Sequence, residues 1–166
     1  MIQILKIDTK DEEESTLPPY KAAEHYYRDL QTAKKRWAPL SSCWDLEVGS
    51  MFPRSHAQEV ALAKEVCTTC PVAKECLKLA IVNQEEYGVW GGYSSREIQT
   101  EIKNIKSNFG NIWISWNDES LSIVNSLVSS MNKEFVKTNN INEKDLIATF
   151  KDRLDDLDQR LSEFKL

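Results

Sequence analysis

Four cysteines constrain this chain more than any other feature. Cys43, Cys67, Cys70 and Cys76 are the full cysteine complement of 166 residues, spaced C-x23-C-x2-C-x5-C. The two short gaps put three thiols on one loop and the start of one helix. The long gap lets Cys43 swing in from a separate segment. Four thiolates can then complete one cubane or one tetrahedral ion. Structural zinc favours two paired knuckles, and only one pair is present. A thioredoxin-like dithiol at Cys67 and Cys70 requires a preceding strand in a βαβ pattern, and leaves Cys43 and Cys76 idle. Metal binding is therefore the reading of the spacing, with the choice between iron–sulfur and zinc left open. The two histidines, His25 and His56, are not needed as ligands.

The compartment supports this reading. No signal-peptide core opens the sequence, and no apolar run reaches bilayer length. A cytoplasmic location is expected, where clustered thiols serve as metal ligands or redox groups rather than disulfides. Hydrophobic residues make up 41% of the chain. That permits a modest core, and small domains often need a staple such as a metal.

Charge divides the chain into three blocks. Residues 1–30 hold four basic and seven acidic side chains, residues 31–107 ten and nine, and residues 108–166 seven and ten. The cysteines all lie in the near-neutral middle block, flanked by acidic ones. A net charge of −5 is the wrong sign for gripping DNA through bulk charge.

Residues 1–19, with three consecutive glutamates and a Pro-Pro pair, read as an acidic leader with little to bury and are expected to be disordered. Helical spacing of Ala22, Ala23, Tyr26, Tyr27, Leu30 and Ala33 predicts a helix from Tyr20 to Lys35, ended by Pro39. Ser55 and Gln58 match a capping box ahead of a helix that runs up to Cys67. Pro71 suits the first turn of the next helix, which carries Cys76 and continues through Val82 with Gly88 past its end. The helix N-terminus near Cys70 is expected to favour its thiolate. Ser94 and Glu97 form a second capping-box match, followed by Ile98, Ile102 and Ile105.

The break at Asn108 to Asn111 is the expected boundary between a domain at 20–107 and an extension at 108–166. Two amphipathic stretches follow it: Leu121, Val124, Val128, Met131 and Phe135, then Phe150, Leu154, Leu157, Leu161 and Phe164. Asn142 is the expected N-cap of the second. They read as a helical hairpin burying its own apolar stripe, with Trp113 and Trp116 either docking it on the core or forming a partner patch. The fold class is all-α: a small irregular helical domain around the four cysteines, plus this C-terminal amphipathic hairpin.

Gly88-Val89-Trp90-Gly91-Gly92 follows the last cysteine helix. Glycines at 88, 91 and 92 permit positive φ and a tight turn. The turn either presents Val89 and Trp90 outward or folds them over the metal site. As a pattern, interface anchor and core cap are equally good readings of Trp90.

Taken together, these motifs resemble the WhiB-like family of actinobacterial and actinophage transcription regulators. The resemblance spans Trp37 to about Arg96. It rests on Trp37-x5-Cys43, Asp45, Met51-Phe52-Pro53, Cys67-x2-Cys70-Pro71-Val72, Cys76, Glu86 and the Gly88 to Gly92 turn. It implies a [4Fe–4S] cluster on Cys43, Cys67, Cys70 and Cys76 that responds to oxygen and nitric oxide. It also implies docking on region 4 of the primary sigma factor of RNA polymerase through Trp37, Met51, Phe52, Val89 and Trp90.

The chain departs from the family after Gly92. There Arg96, Lys103 and Lys106 are offset by Glu97 and Glu101, so DNA contact is expected to be weak or indirect. Residues 109–166 have no recognised counterpart. Two other functions compete with the regulator reading: a protein disulfide reductase acting through Cys67 and Cys70 in the metal-free form, and a zinc-binding interaction adaptor.

Overall fold

A computed structural model describes residues 29–47, 49–54, 56–114 and 116–164. The acidic leader, the expected helix start at Tyr20, His25 and the Ser55 cap lie outside the described residues. Residues 29–37 are helical and pass into a 3-10 turn, Ala38–Leu40, with Pro39 inside it. The helices that follow are α1 (Ala57–Cys67), α2 (Ala73–Asn83), α3 (Ser95–Phe109), α4 (Asp118–Thr138) and α5 (Glu143–Phe164). The fold is all-α, with one small hairpin between α2 and α3.

Helix α2 is the centre of the molecule. Ala73, Leu77, Leu79, Ala80, Ile81 and Val82 are all buried, so it is apolar on nearly every side. Helix α3 contributes the expected stripe of Ile98, Ile102 and Ile105. Its N-terminus carries the expected capping box: the Ser94 hydroxyl accepts from the Glu97 N–H, and the Glu97 carboxylate accepts from the Ser94 N–H at 2.7 Å.

Several boundaries differ from expectation. Helix α1 begins at Ala57 with His56 at the N-cap position, and no side-chain cap bond forms there. Pro71 lies in the turn before α2, whose first residue is Ala73, because the chain must first close the tight turn from Cys67 to Cys70. Helix α2 ends at Asn83, and Gln84 rather than a glycine takes the left-handed position (φ 52°). The only strands among the described residues lie at the Gly88 to Gly92 segment and just after it. β1 (Val89–Trp90) pairs antiparallel with β2 (Tyr93–Ser94) across a Gly91-Gly92 turn. Gly91 and Gly92 have φ of +58° and +89°, the positive values a two-residue hairpin turn needs.

The extension does not bury its own stripe. Val124, Val128 and Met131 of α4 join the same core as Leu77, Ile81 and Ile98, and α4 packs on α2. The reason is the apolar surround of α2, which α3 alone does not cover. The connecting loop docks too: Ile112, Trp113 and Trp116 are buried, and the Trp113 indole N–H donates to the Ile81 and Val82 carbonyls at 3.3 and 3.2 Å. These carbonyls lie in the last turn of α2, where Ile81 also accepts from the Gln84 N–H at 3.1 Å. Helix α5 starts at the expected Asn142 cap, whose side chain accepts from the Lys144 N–H at 2.9 Å. It rests on the 3-10 turn, with Phe150, Leu154 and Leu157 against the core, while Leu161 is exposed.

Candidate metal centre

The four cysteines arrive from three segments that the backbone ties together. After the 3-10 turn, the Ser41 hydroxyl donates back to the Ala38 carbonyl at 2.6 Å, and the Cys43 thiol donates to the Ser41 hydroxyl at 3.6 Å. Cys67 closes α1. The Cys70 N–H then donates to the Cys67 carbonyl at 3.2 Å, turning the chain so that both thiols face one side. Cys76 sits in the first turns of α2, its N–H donating to the Val72 carbonyl at 3.0 Å. The Ser42 and Thr69 hydroxyls pair at 3.0 Å, bridging the Cys43 loop to the Cys67–Cys70 turn.

All four cysteines are free, and the charges of Cys43, Cys67 and Cys70 act on the other thiols of the set. Burial pushes the Cys67 thiol up to about 12, the Gly92 N–H pulls the other way, and Cys70 and Cys43 add like-charge repulsion. Cys70 is raised chiefly by burial, against the Ser42 and Val72 N–H groups that face it. Cys76 is raised well above its ordinary value by desolvation and by Cys67 and Cys70, while the Gly91 N–H opposes. The expectation that the helix N-terminus favours the Cys70 thiolate is thus corrected for the metal-free protein. Backbone dipoles do act on these sulfurs, but burial outweighs them.

This donor set fits a cysteine-ligated cluster. Buried thiols whose ionisation is suppressed become thiolates when a cation neutralises them, and metal loading releases their protons. N–H groups aimed at the sulfurs from Ser42, Val72, Gly91 and Gly92 are what thiolate ligands require. Among the described residues, no three His, Cys, Asp or Glu side chains converge on the position of a single ion. The four thiols form a grouped set rather than a closed one-ion site. A thioredoxin-like reading fails on local structure, since Cys67 ends a helix instead of following a strand.

Beside the thiols the hairpin builds a surface. The Val89 N–H donates to the Met51 carbonyl at 2.8 Å, which lays the Met51-Phe52 loop along β1. Phe52 and Trp90 meet edge to face, with centroids 6.0 Å apart at 85°. The Trp90 indole N–H donates to the Tyr87 carbonyl at 2.7 Å and locks the ring. Phe52 is 50% exposed, and Trp90 and Met51 are half-buried. Of the five aromatic and apolar candidates, then, Met51, Phe52 and Trp90 share this surface. Trp37 and Val89 are buried, the first beside Leu30 and Leu40 in the main core and the second in a satellite cluster with Cys67 and Ala63. Sequence reasoning missed Trp44, Leu46 and Leu62, which are exposed apolar side chains. Leu46 and Leu62 line an open cleft of about 730 Å³ beside the site, with Ser42, Thr69 and Arg153. No periodic pattern marks them.

The glycines hold the turn against the cysteine helix. A Cβ on Gly91 would strike the Ala73 carbonyl oxygen and stand 2.7 Å from Leu77 Cβ. A Cβ on Gly88 would stand 2.9 Å from the Phe52 ring. Gly88, Gly91 and Gly92 all have positive φ, so both backbone conformation and close approach exclude side chains.

Among the described residues, no helix is long and apolar enough to cross a membrane. No solved structure matches the chain. The family model "Transcription factor WhiB" matches residues 37–100. The transcriptional regulator WhiB of Streptomyces coelicolor is 39% identical over 61 residues, covering 37% of this chain and 69% of that protein. WhiB4 of Mycobacterium tuberculosis is 31% identical over 83 residues, covering 49% and 69%. The redox-responsive transcriptional regulator WhiB3 of Mycolicibacterium smegmatis is 42% identical over 50 residues, covering 30% and 52%. The named relatives are regulators rather than enzymes, and this chain belongs to the WhiB-like family of transcriptional regulators.

Proposed function

We propose that this chain is an iron–sulfur regulator of transcription that holds a [4Fe–4S] cluster and docks on region 4 of the primary sigma factor. The observation that carries the reading is the grouping of four free thiols, faced by backbone N–H groups, beside an exposed Phe52 packed on a half-buried Trp90. Cys43, Cys67, Cys70 and Cys76 would hold the cluster, which when bound supplies the chemistry that oxygen or nitric oxide attacks.

The chain's own residues couple that centre to the docking surface. Val89 shares a cluster with Cys67, and its N–H holds the Met51-Phe52 loop. Gly91 and Gly92 present their N–H groups to Cys76 and Cys67 from the same turn that carries Trp90. Loss of the ligands' charge therefore disturbs the turn and, through it, the Phe52–Trp90 pair. Two states of one surface are what a sensor needs. Residues 20–107 form the cluster-bearing part in this reading, and residues 108–166 brace it. DNA contact is weak and made through sigma, because basic residues after Gly92 are balanced by acidic ones.

Anaerobic co-expression with sigma region 4, affinity capture and an absorption spectrum test the reading. A brown, stoichiometric complex supports both cluster and partner. A brown protein that leaves sigma behind sinks the docking role. A colourless, zinc-loaded protein sinks the cluster and favours an interaction adaptor.

A further inference from the structure

The matched family region ends at residue 100, yet the extension beyond it sends a cation to the cysteines. Arg153, on α5, donates from its guanidinium to the Leu40 carbonyl at 2.8 Å. Leu40 is 1% exposed and lies three residues before Cys43, so this bond fixes the arginine at the root of the Cys43 loop. Phe150, Leu154 and Leu157, packed against the core, hold α5 in place on either side of it. Arg153 is half-buried and lines the cleft with Ser42 and Thr69, the hydroxyl pair that joins the Cys43 loop to the Cys67–Cys70 turn.

Among the described residues, no carboxylate forms an ion pair with Arg153, although Glu59 and Glu65 line the same cleft. Arginine stays charged under all ordinary conditions. A half-buried guanidinium whose hydrogen bond goes to a neutral carbonyl is stabilised further when a negative group faces it. Ser42 and Thr69, which share the cleft with Arg153, directly adjoin Cys43 and Cys70 in the chain, so the guanidinium stands at the side of the cysteine set that becomes negative once its thiols ionise.

We propose that Arg153 is a positioning residue of the metal centre, anchored by Leu40 so that its charge compensates the four thiolates of the bound cluster. The proposal rests on the cluster reading above. Four thiolates leave a [4Fe–4S] centre net negative, and one-electron reduction adds a further negative charge. A fixed cation at the root of the Cys43 loop stabilises the reduced form more than the oxidised one and raises the reduction potential. It also opposes loss of the Cys70 ligand.

Arg153→Gln and Arg153→Lys in the full chain, purified anaerobically with the cluster in place, provide the test. The readouts are the midpoint potential from a spectroelectrochemical titration and the rate of iron release to a ferrous chelator. Arg153→Gln is expected to lower the potential and to release iron about tenfold faster. Arg153→Lys, which keeps the charge, is expected to stay near the wild-type potential. An unchanged potential in Arg153→Gln overturns the proposal. So does an equal shift in both variants, which would mark α5 anchoring rather than charge. Should Arg153→Gln fail to fold, normal loading and potential in Arg153→Lys support the charge role, and failure of both variants overturns it. A colourless wild-type protein overturns the cluster reading and this inference together. A brown wild-type with an unshifted Arg153→Gln overturns this inference alone.

Discussion

Gly92, in the turn beside the cysteines, closely approaches the ring of Phe135 on α4. A Cβ at residue 92 would stand 2.6 Å from Phe135 Cδ2 and Cζ. The Phe135 ring belongs to the same satellite cluster as Cys67 and Val89 and stacks at a tilt on Tyr93, with centroids 6.1 Å apart. The extension therefore forms one wall of the metal centre's supporting turn.

Phe135→Ala is expected to destabilise the protein by about 3 kcal/mol through loss of a buried ring and the cavity it leaves. Gly92→Ala is also expected to destabilise, through both its φ of +89° and the clash with the ring. In the double variant the clash is relieved, so the combined loss should be smaller than the sum of the two. Chemical denaturation of all three variants checks this; strict additivity would mean that the two residues do not press on each other.

A second link between turn and extension is the Tyr93 hydroxyl, which donates to the Met131 carbonyl at 2.7 Å. Tyr93→Phe should cost about 1 kcal/mol, since it removes one hydrogen bond and leaves the ring packed. A thermal melt indistinguishable from wild type would show that this bond adds nothing net.

Glu97 links α3 to the cysteine-bearing α1 through Lys64, at 2.8 Å. Burial alone would raise its carboxyl, but the Lys64 ammonium and the Ser94 N–H and hydroxyl outweigh it and hold it below the ordinary value. A carboxylate with a depressed folded pKa contributes stability above its unfolded value of about 4.3 and loses it as pH falls through the folded value. Glu97→Gln should therefore flatten the acid limb of the stability curve of the metal-free protein. At neutral pH the loss of the ion pair itself should stay below about 1 kcal/mol, because the Glu97 side chain is 45% exposed. An acid limb identical to wild type would remove Glu97 from the account.

Serine at any one of positions 43, 67, 70 or 76 should abolish stoichiometric iron and sulfide in anaerobically purified protein. Elemental analysis decides, and a full complement in one variant would strike that cysteine from the ligand set.

Trp90→Ala should leave the visible spectrum intact and weaken sigma region 4 binding by about 2 kcal/mol, as expected of a rigid aromatic anchor. Anaerobic calorimetry measures it. Equal affinity would assign Trp90 to packing over Phe52.

The cysteine set, the Ser94–Glu97 capping box, the isoleucine stripe of α3 and the positive-φ demand at Gly88, Gly91 and Gly92 were all legible in the sequence. The cysteine set is read from residue type and spacing alone, while the other features depend on residues within a few positions of one another, whose geometry the backbone sets through a period of 3.6 or through the steric freedom of glycine. The hairpin strands were not legible, because two residues per strand carry no alternation to read. Nor was the fate of α4: its stripe matched a self-contained hairpin as well as a docking helix, and only the apolar surround of α2 decided between them.

The sequence by itself determined which atoms are available to bind metal and which segments are helical. Tertiary structure alone decided that burial overrides the helix N-terminus at Cys70, that Phe135 presses on Gly92, and that Arg153 reaches the cysteine loop through Leu40. Those outcomes join residues far apart in the chain, and they follow from close packing and exclusion of water, neither of which exists until the segments have met.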